Sequence, residues 1–375
     1  MQLETLLALP PFYFVFAVMA FLVALVVIVF IHELGHFLVA RWCGVSVEAF
    51  SIGFGREIFG WNDRHGTRWK VGWLPLGGYV KFVGDANAAS MPGSEIQNSA
   101  PGSFHSTALW KRALVVAAGP MANFLLAMAI FAGAFMFYGV PVALPVIGEV
   151  VGGSAAEEAG MKPGDIIVSI DGRHIATFED LQQAVFMRPG EHLAIVLDRG
   201  GTQITVDAVP KMTEQDDGLG GKMKVGLLGI KNSENNPIKI EKLGPFGAVA
   251  KAADRVWFQI STTFKYIGKM FAGAESIKGL RGGIGIAQVA GSAASMGLFQ
   301  YVWIIAFLSV NIGLINLFPI PMLDGGHLVF YGIEAVRGKP LGPTTQEWAF
   351  RVGLSLVIML MMTGAWNDIS RLLGG

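Results

Sequence analysis

The 375-residue chain is 53% hydrophobic and only 15% charged, where an ordinary soluble domain carries about 25% charged residues. Its net charge is zero and its one cysteine is Cys43, so nothing points to nucleic acid, and an internal disulfide or a multi-cysteine metal site is excluded. The apolar residues gather in runs of the roughly 20 that cross a bilayer, and the expected class is a polytopic α-helical membrane protein with about four transmembrane helices and a soluble insert.

Residues 1–40 hold the first span, at about 10–38. Its leader carries Glu4 and no Lys or Arg, and the apolar run is too long for a signal peptide, so it reads as a permanent span. It closes on FIHELGH, Phe30 to His36. In the 41–112 connection, residues 46–83 read as β structure: short apolar and aromatic stretches are broken by the turn-rich WNDRHGT and by glycines. His65 sits in that turn as a solvated side chain. Residues 85–107, rich in Ala, Ser, Gly and Pro, read as a loop. The segment 113–140 holds the second span. Residues 141–212 alternate strand-like pieces with turns around a helix-like segment, 178–187. Residues 213–296 open with an acidic, glycine-rich link, 213–221, and continue as an amphipathic helix. In it Phe246, Val249, Ala253, Val256, Trp257, Ile260, Phe264, Ile267 and Phe271 recur at steps of three and four. That helix either lies on the membrane surface or packs on its neighbouring domain. The third span, in 297–326, runs into NIGLINLFPIPMLDGG. A connection, 327–347, and a fourth span in 348–375 complete the chain.

Basic residues favour cytoplasmic loops. The 41–112 connection holds Arg41, Arg56, Arg64, Arg68, Lys70, Lys81, Lys111 and Arg112, and the 324–347 connection holds Arg337 and Lys339. Both are expected in the cytoplasm, with the large insert and both termini outside.

His32 and His36 are four apart, so on a helix they share a face and can grip one cation. Glu33 beside them is placed to take a proton from an attacking water, the HExxH arrangement of zinc hydrolases. A polar helix cap at the headgroups is the structural alternative, but three ionisable groups in one turn of a membrane segment are costly and mark function. A catalytic zinc takes three protein ligands. The extended motif would need histidine at 42, where the chain has Trp42, and Glu48 and Glu57 lie in the β-like connection. Asp324 is the better candidate. It follows Pro319 and Pro321, which break the third span, and such a break in a membrane is tolerated where it is buried or lines a polar cavity. His32 lies roughly 33 Å down the first span at helical rise, and Asp324 reaches a similar depth near the cytoplasmic boundary. His327 is the rival, as third ligand, as partner to a ligand or as an interfacial residue.

Two resemblances follow from these residues. GSAAEEAGMKPGDIIVSIDG, within 142–211, resembles the PDZ domain in its bacterial protease-associated form, which implies binding of an extended peptide or a C-terminus, or a spacer that binds nothing tightly. HELGH, then AAGPMAN (117–123), the PDZ-like insert and NLFPIPMLDGG (316–326) occur in the order found in site-2 proteases. Nearly the whole chain resembles the bacterial RseP-type regulated intramembrane metalloproteases, in a form with one PDZ unit. The resemblance implies Zn2+ on His32, His36 and Asp324, Glu33 as general base and Asn316 touching the substrate backbone. Gly119, Pro120 and Asn123 match its second-span motif, whose other reading is close helix packing. It also implies single-span substrates such as anti-sigma factors or leftover signal peptides, and a place in the bacterial inner membrane with the PDZ domain outside the cytoplasm.

A helical peptide bond must unwind before water reaches it. The edge GGYVKF (77–82), with Gly78, Tyr79 and Val80, could take the unwound substrate by strand addition. Gly53 and Gly55 of GFG permit close backbone approach or simply make turns. A zinc-holding membrane scaffold with a peptide-binding PDZ domain is the other functional class, and Glu33 argues against it. The orientation is checked by cysteine labelling with Cys43 replaced: a cysteine in 86–100 resists an impermeant thiol reagent in intact cells, and one in 213–221 reacts.

Overall fold

The computed structural model describes residues 11–85, 102–216, 222–232, 239–272 and 281–373. The leader 1–10, most of the expected 85–107 loop and the end of the 213–221 link lie outside them. The chain divides into two compact units, one of residues 1–131 with 281–375 and one of residues 132–280.

In the first unit, helix α1 (Pro11–Trp42) leads into two long antiparallel strands, β1 (Val47–Asn62) and β2 (Arg68–Phe82). Each strand folds over and is used twice. The start of β1 pairs on one side with the end of β2 (Phe50 with Val80, Ile52 with Gly78) and on the other with its start (Phe50 with Trp69, Ile52 with Val71), while the end of β1 pairs again with the start of β2 (Trp61 with Trp69). Two strands thus make four strand segments joined by three ladders, with residues 78–82 along one edge. The corner in β1 falls at Gly53 and Gly55, whose φ angles of 83° and 84° a side chain rarely adopts. GFG is therefore the bend that lets one strand serve twice. Phe50, Val80 and Phe82 pack with Phe37, Ala40 and Val115, which fixes this sheet on α1.

Helix α2 (Leu109–Phe137) starts in this unit. Arg112 near its start makes a two-pronged ion pair with Glu334, at 2.6 and 3.2 Å. After residue 281 come α6 (Gly283–Met296), α7 (Leu298–Asn316), α8 (Asp324–Arg337) and α9 (Pro343–Leu372). Helix α7 lies along α1, with Ile305 and Leu308 against Ala24 and Ile28. Helix α6 seats Gly291 on Ala17, and Asp368 of α9 caps its start by accepting from the amides of Gly282 and Gly285. Four helices, Tyr13–Trp42, Leu109–Phe137, Leu298–Asn316 and Thr344–Arg371, are long and apolar enough to cross a membrane.

Two helices differ from the sequence expectation. Helix α6 falls where a linker is expected, because its Gly and Ala residues carry no apolar period and pack through their smallness. Helix α8 occupies the expected 327–347 connection, and α7 stops at Asn316 rather than near 323. Pro319 and Pro321 end one helix, and Asp324, favoured in a first helical turn, starts the next.

The second unit is built on a four-stranded antiparallel sheet of β5 (Ile166–Ile170), β6 (Arg173–His174), β7 (Leu193–Arg199) and β8 (Thr202–Ala208), in the order β6-β5-β7-β8. Before it in the chain come β3 (Val140–Val142), β4 (Ile147–Val150) and the short α3 (Ala155–Glu158). Helix α4 (Phe178–Phe186) begins with a capping box in which Thr177 and Asp180 satisfy each other's backbone amides. Leu181 and Val185 of α4 join Ile147, Ile167, Leu193, Ile195 and Leu197 in one core. That core does not stop at residue 212. After the hairpin of β9 (Lys211–Asp216) and β10 (Lys222–Leu227), buried Leu228 enters it and β11 (Ile230–Asn232) pairs with β4, while β12 (Lys239–Glu241) pairs with β3.

Helix α5 (Pro245–Phe271) is the amphipathic segment, but its buried face is not its apolar one. Ala248, Ala252, Val256 and Gln259 are buried, whereas Phe246, Val249, Trp257 and Phe264 are exposed. At 3.6 residues per turn the two faces stand roughly a third of a turn apart. Lys251 and Arg255 approach Glu179 of α4 at 3.7 and 3.6 Å, and Lys269 donates to the Met187 carbonyl.

Asp165, at the foot of β5, receives two hydrogen bonds from the Arg199 guanidinium, each 2.7 Å. These bonds hold its carboxyl below the usual aspartate range. A depressed carboxylate contributes its stability above the unfolded-state value of about 3.9 and loses it as the pH falls through the folded-state value. Arg199→Met is therefore expected to lower the melting temperature at pH 7, with the gap to the unaltered chain closing as the pH is taken below 4. A gap independent of pH would show that Arg199 acts through packing alone.

Candidate metal centre

His32 and His36 face one way from α1, as their spacing requires, and both are buried. The chain brings Asp324 to them from the first residue of α8. His32 Nε2 lies 3.1 Å from Asp324 Oδ2, His36 Nε2 lies 3.5 Å from Oδ1, and the two Nε2 atoms are 3.2 Å apart. Ligands about 2.0–2.1 Å from a tetrahedral zinc stand about 3.3 Å from one another, so this spacing suits one such ion. Buried Asp324 Oδ2 has no hydrogen-bond partner, a costly state for a carboxylate oxygen unless a cation serves it. Among the described residues this is the one group of three side chains able to hold a metal.

The backbone makes room for the three donors. A Cβ on Gly119 of α2 would collide with the His36 ring and come within 2.8 Å of His32 Nε2. One on Gly35 would lie 2.7 Å from Ala122 Cβ, so α1 and α2 approach through glycine. Gly325 and Gly326 lie against the backbone of residues 317–321, and Gly353 of α9 rests on Pro321. Met322, with φ at 91°, takes a conformation that side chains seldom adopt, two residues before Asp324. The turn is held in that shape by helices on both sides.

The two imidazoles have partners behind them. His36 Nδ1 donates to the Val115 carbonyl at 2.8 Å, and His32 Nδ1 lies 3.2 Å from the Asn123 amide nitrogen. Pro120 within α2 has no amide proton for the Val116 carbonyl, which loosens the helical ladder beside the carbonyl that accepts from His36. Glu33 points to the sheet. A Cβ on its residue Gly78 would stand 3.1 Å from the Glu33 Cγ. The edge 78–82 therefore lies directly against the candidate base.

Of the other residues singled out in the sequence, Tyr79 stacks on Phe54 and carries Lys70 over its ring. Asn316 closes α7, part-buried. His327 sits among the rings of Phe330, Tyr331 and Phe350 and is not part of the three-donor group. Glu48 pairs with Lys81 and Glu57 with Arg68. His65 is exposed in its turn. Sequence reasoning missed the Val115 carbonyl, which no side chain announces. It had Asn123 only as a motif position, and the helical spacing of Gly119 and Asn123 was the available signal.

Comparison with known proteins agrees with this chemistry. Residues 20–360 match the family described as Peptidase family M50. A Rhizobium meliloti (strain 1021) protein, named as an inferred zinc metalloprotease, is 48% identical over 365 residues, covering 96% of this chain and 98% of that protein. A protein of Agrobacterium fabrum, named likewise, is 45% identical over 364 residues, covering 95% and 96%. Metalloprotease MmpA of Caulobacter vibrioides is 38% identical over 385 residues, covering 96% of each chain.

The glycine opposite the imidazoles gives a direct test. Gly119→Ala is expected to lower zinc affinity roughly tenfold or more, the scale seen when ligand orientation is disturbed. Alanine favours a helix over glycine, so the loss is not one of helix. Gly133→Ala in the same helix, whose Cβ meets nothing within 4 Å, is expected to bind as before. Chelator competition on the purified variants measures both.

Proposed function

Because the chain belongs to peptidase family M50 and is a zinc metalloprotease, we propose that it cuts the transmembrane segments of single-span membrane proteins, with anti-sigma factor-like proteins and remnant signal peptides as the substrate class. The observation that carries this reading is the convergence of His32, His36 and Asp324 at the end of a candidate span, with Glu33 between them and an open strand edge.

His32, His36 and Asp324 would hold the metal. When bound, zinc supplies Lewis acidity, which polarises a carbonyl and makes water a better nucleophile at neutral pH. Glu33 accepts the proton of the attacking water and passes it to the leaving nitrogen. Residues 78–82 present backbone groups along their free side, and an unwound substrate that pairs there lies beside Glu33. Asn316, at the helix break, would hold the substrate backbone. The folded strands and their corner at Gly53 and Gly55 set the position of that edge.

Residues 141–212 in the second unit are read as the PDZ domain, binding a peptide or C-terminus outside the cytoplasm. Exposed Phe246, Val249, Trp257 and Phe264 support a place for α5 at the lipid surface. The basic loops support a location for the catalytic end of α1 near the cytoplasmic side of a bacterial inner membrane.

Purified protein is incubated with a model transmembrane substrate. Cleavage is expected, and a chelator removes it. His32→Ala, His36→Ala and Asp324→Ala lose zinc by elemental analysis, whereas Glu33→Gln keeps zinc and loses cleavage. Full activity in Glu33→Gln would overturn the role of the base, and full zinc occupancy in Asp324→Ala would overturn the third ligand.

A further inference from the structure

A histidine can offer a lone pair to a metal at one ring nitrogen only if the proton sits on the other. For His36 the choice is settled by the Val115 carbonyl, which can only accept, so the proton is on Nδ1 and the Nε2 lone pair faces Asp324. His32 has no carbonyl behind it. Its Nδ1 faces the side-chain amide of Asn123, a group with a donor end and an acceptor end of nearly equal size.

With the amide nitrogen toward the ring, Asn123 donates to Nδ1. The His32 proton is then on Nε2, pointing at the other two ligand atoms, and no lone pair remains for a cation. A half-turn of the amide removes this fault. Oδ1 accepts the Nδ1 proton of His32, and the Nε2 lone pair faces the centre. The backbone keeps Asn123 in place for this role: the residue is fully buried, Ser309 Oγ donates to its carbonyl at 2.9 Å, and Gly313 of α7 leaves room for its Cβ.

We propose that Asn123 is a positioning residue that accepts the Nδ1 proton of His32 and so fixes the tautomer in which His32 can bind zinc. This rests on His32 being a zinc ligand. The second span thereby holds both imidazoles, one by a main-chain carbonyl and one by a side chain, eight residues apart.

The test uses the full chain in detergent, with zinc itself as the probe in competition with a chromophoric chelator. Asn123→Leu, of similar size and unable to accept, is expected to bind zinc about 10–100-fold more weakly. Asn123→Asp is expected to bind within a few-fold of the unaltered chain, because its carboxylate accepts the same proton. A residue needed only for packing would tolerate leucine better than a buried charge. In the unaltered, zinc-free chain, nitrogen-15 NMR of labelled histidines is expected to show His32 protonated at Nδ1, its signal identified by loss in His32→Gln. That measurement needs no variant at 123. Zinc affinity unchanged in Asn123→Leu, binding by Asn123→Asp as weak as by Asn123→Leu, or a His32 proton on Nε2 would each overturn the proposal. Undiminished zinc binding in His32→Ala would instead remove the ligand set beneath it.

Discussion

A carboxylate oxygen without a hydrogen-bond donor, held 3.1 Å from an imidazole nitrogen among apolar helices, is the constraint around which the first unit is organised. Three polar groups taken from water in one place are unstable as a set unless something satisfies them together. They come from segments almost three hundred residues apart, so the fold must deliver them to one point and keep other atoms away from it. Gly35 and Gly119 bring α1 and α2 together with the imidazoles between them, and Gly325, Gly326 and Gly353 let the turn after α7 press into the bundle. The Arg112–Glu334 pair ties α8 to the start of α2, so the helix that carries Asp324 is fixed to the helix that backs both histidines.

What could be read from the sequence was whatever depends on short spacing or strong punctuation. HELGH puts two imidazoles on one helical face by arithmetic alone, and Pro319 and Pro321 announce a break whatever surrounds them. The long apolar runs identify candidate spans because a bilayer demands length. The illegible parts depend on contact between distant residues. A backbone carbonyl such as Val115 looks like any other in the sequence. The double use of β1 and β2 is invisible, since a strand that pairs on both sides through a glycine corner has the composition of two ordinary strands. The core contribution of Leu228 crosses a link that reads as a domain boundary. Helix α6 was hidden because close packing through Gly and Ala leaves no hydrophobic period.

The sheet and the metal centre are one construction. Val80 contributes its side chain to the core against α1 and Gly78, two residues before it, lies against Glu33, so the strand that would receive a substrate also touches the group that would act on it. Geometry of this kind needs rigid support, and both the sheet and α1 draw it from the same cluster, with Phe37, Phe50 and Trp69 in mutual ring contact.

Helix α5 carries a different lesson. Its inner seam is made of Ala248, Ala252, Val256 and Gln259, and its large apolar side chains point elsewhere. Anchorage to the protein and affinity for whatever lies outside are thus written in separate letters of the same helix. On the proposed reading of α5 as a lipid-surface helix, substitutions at Phe246, Val249, Trp257 or Phe264 would retune the outer face for a thicker, thinner or more anionic lipid surface while the seam stays untouched. The helix would then be an exchangeable fitting, adjustable from one membrane composition to another without renegotiating the fold that holds it.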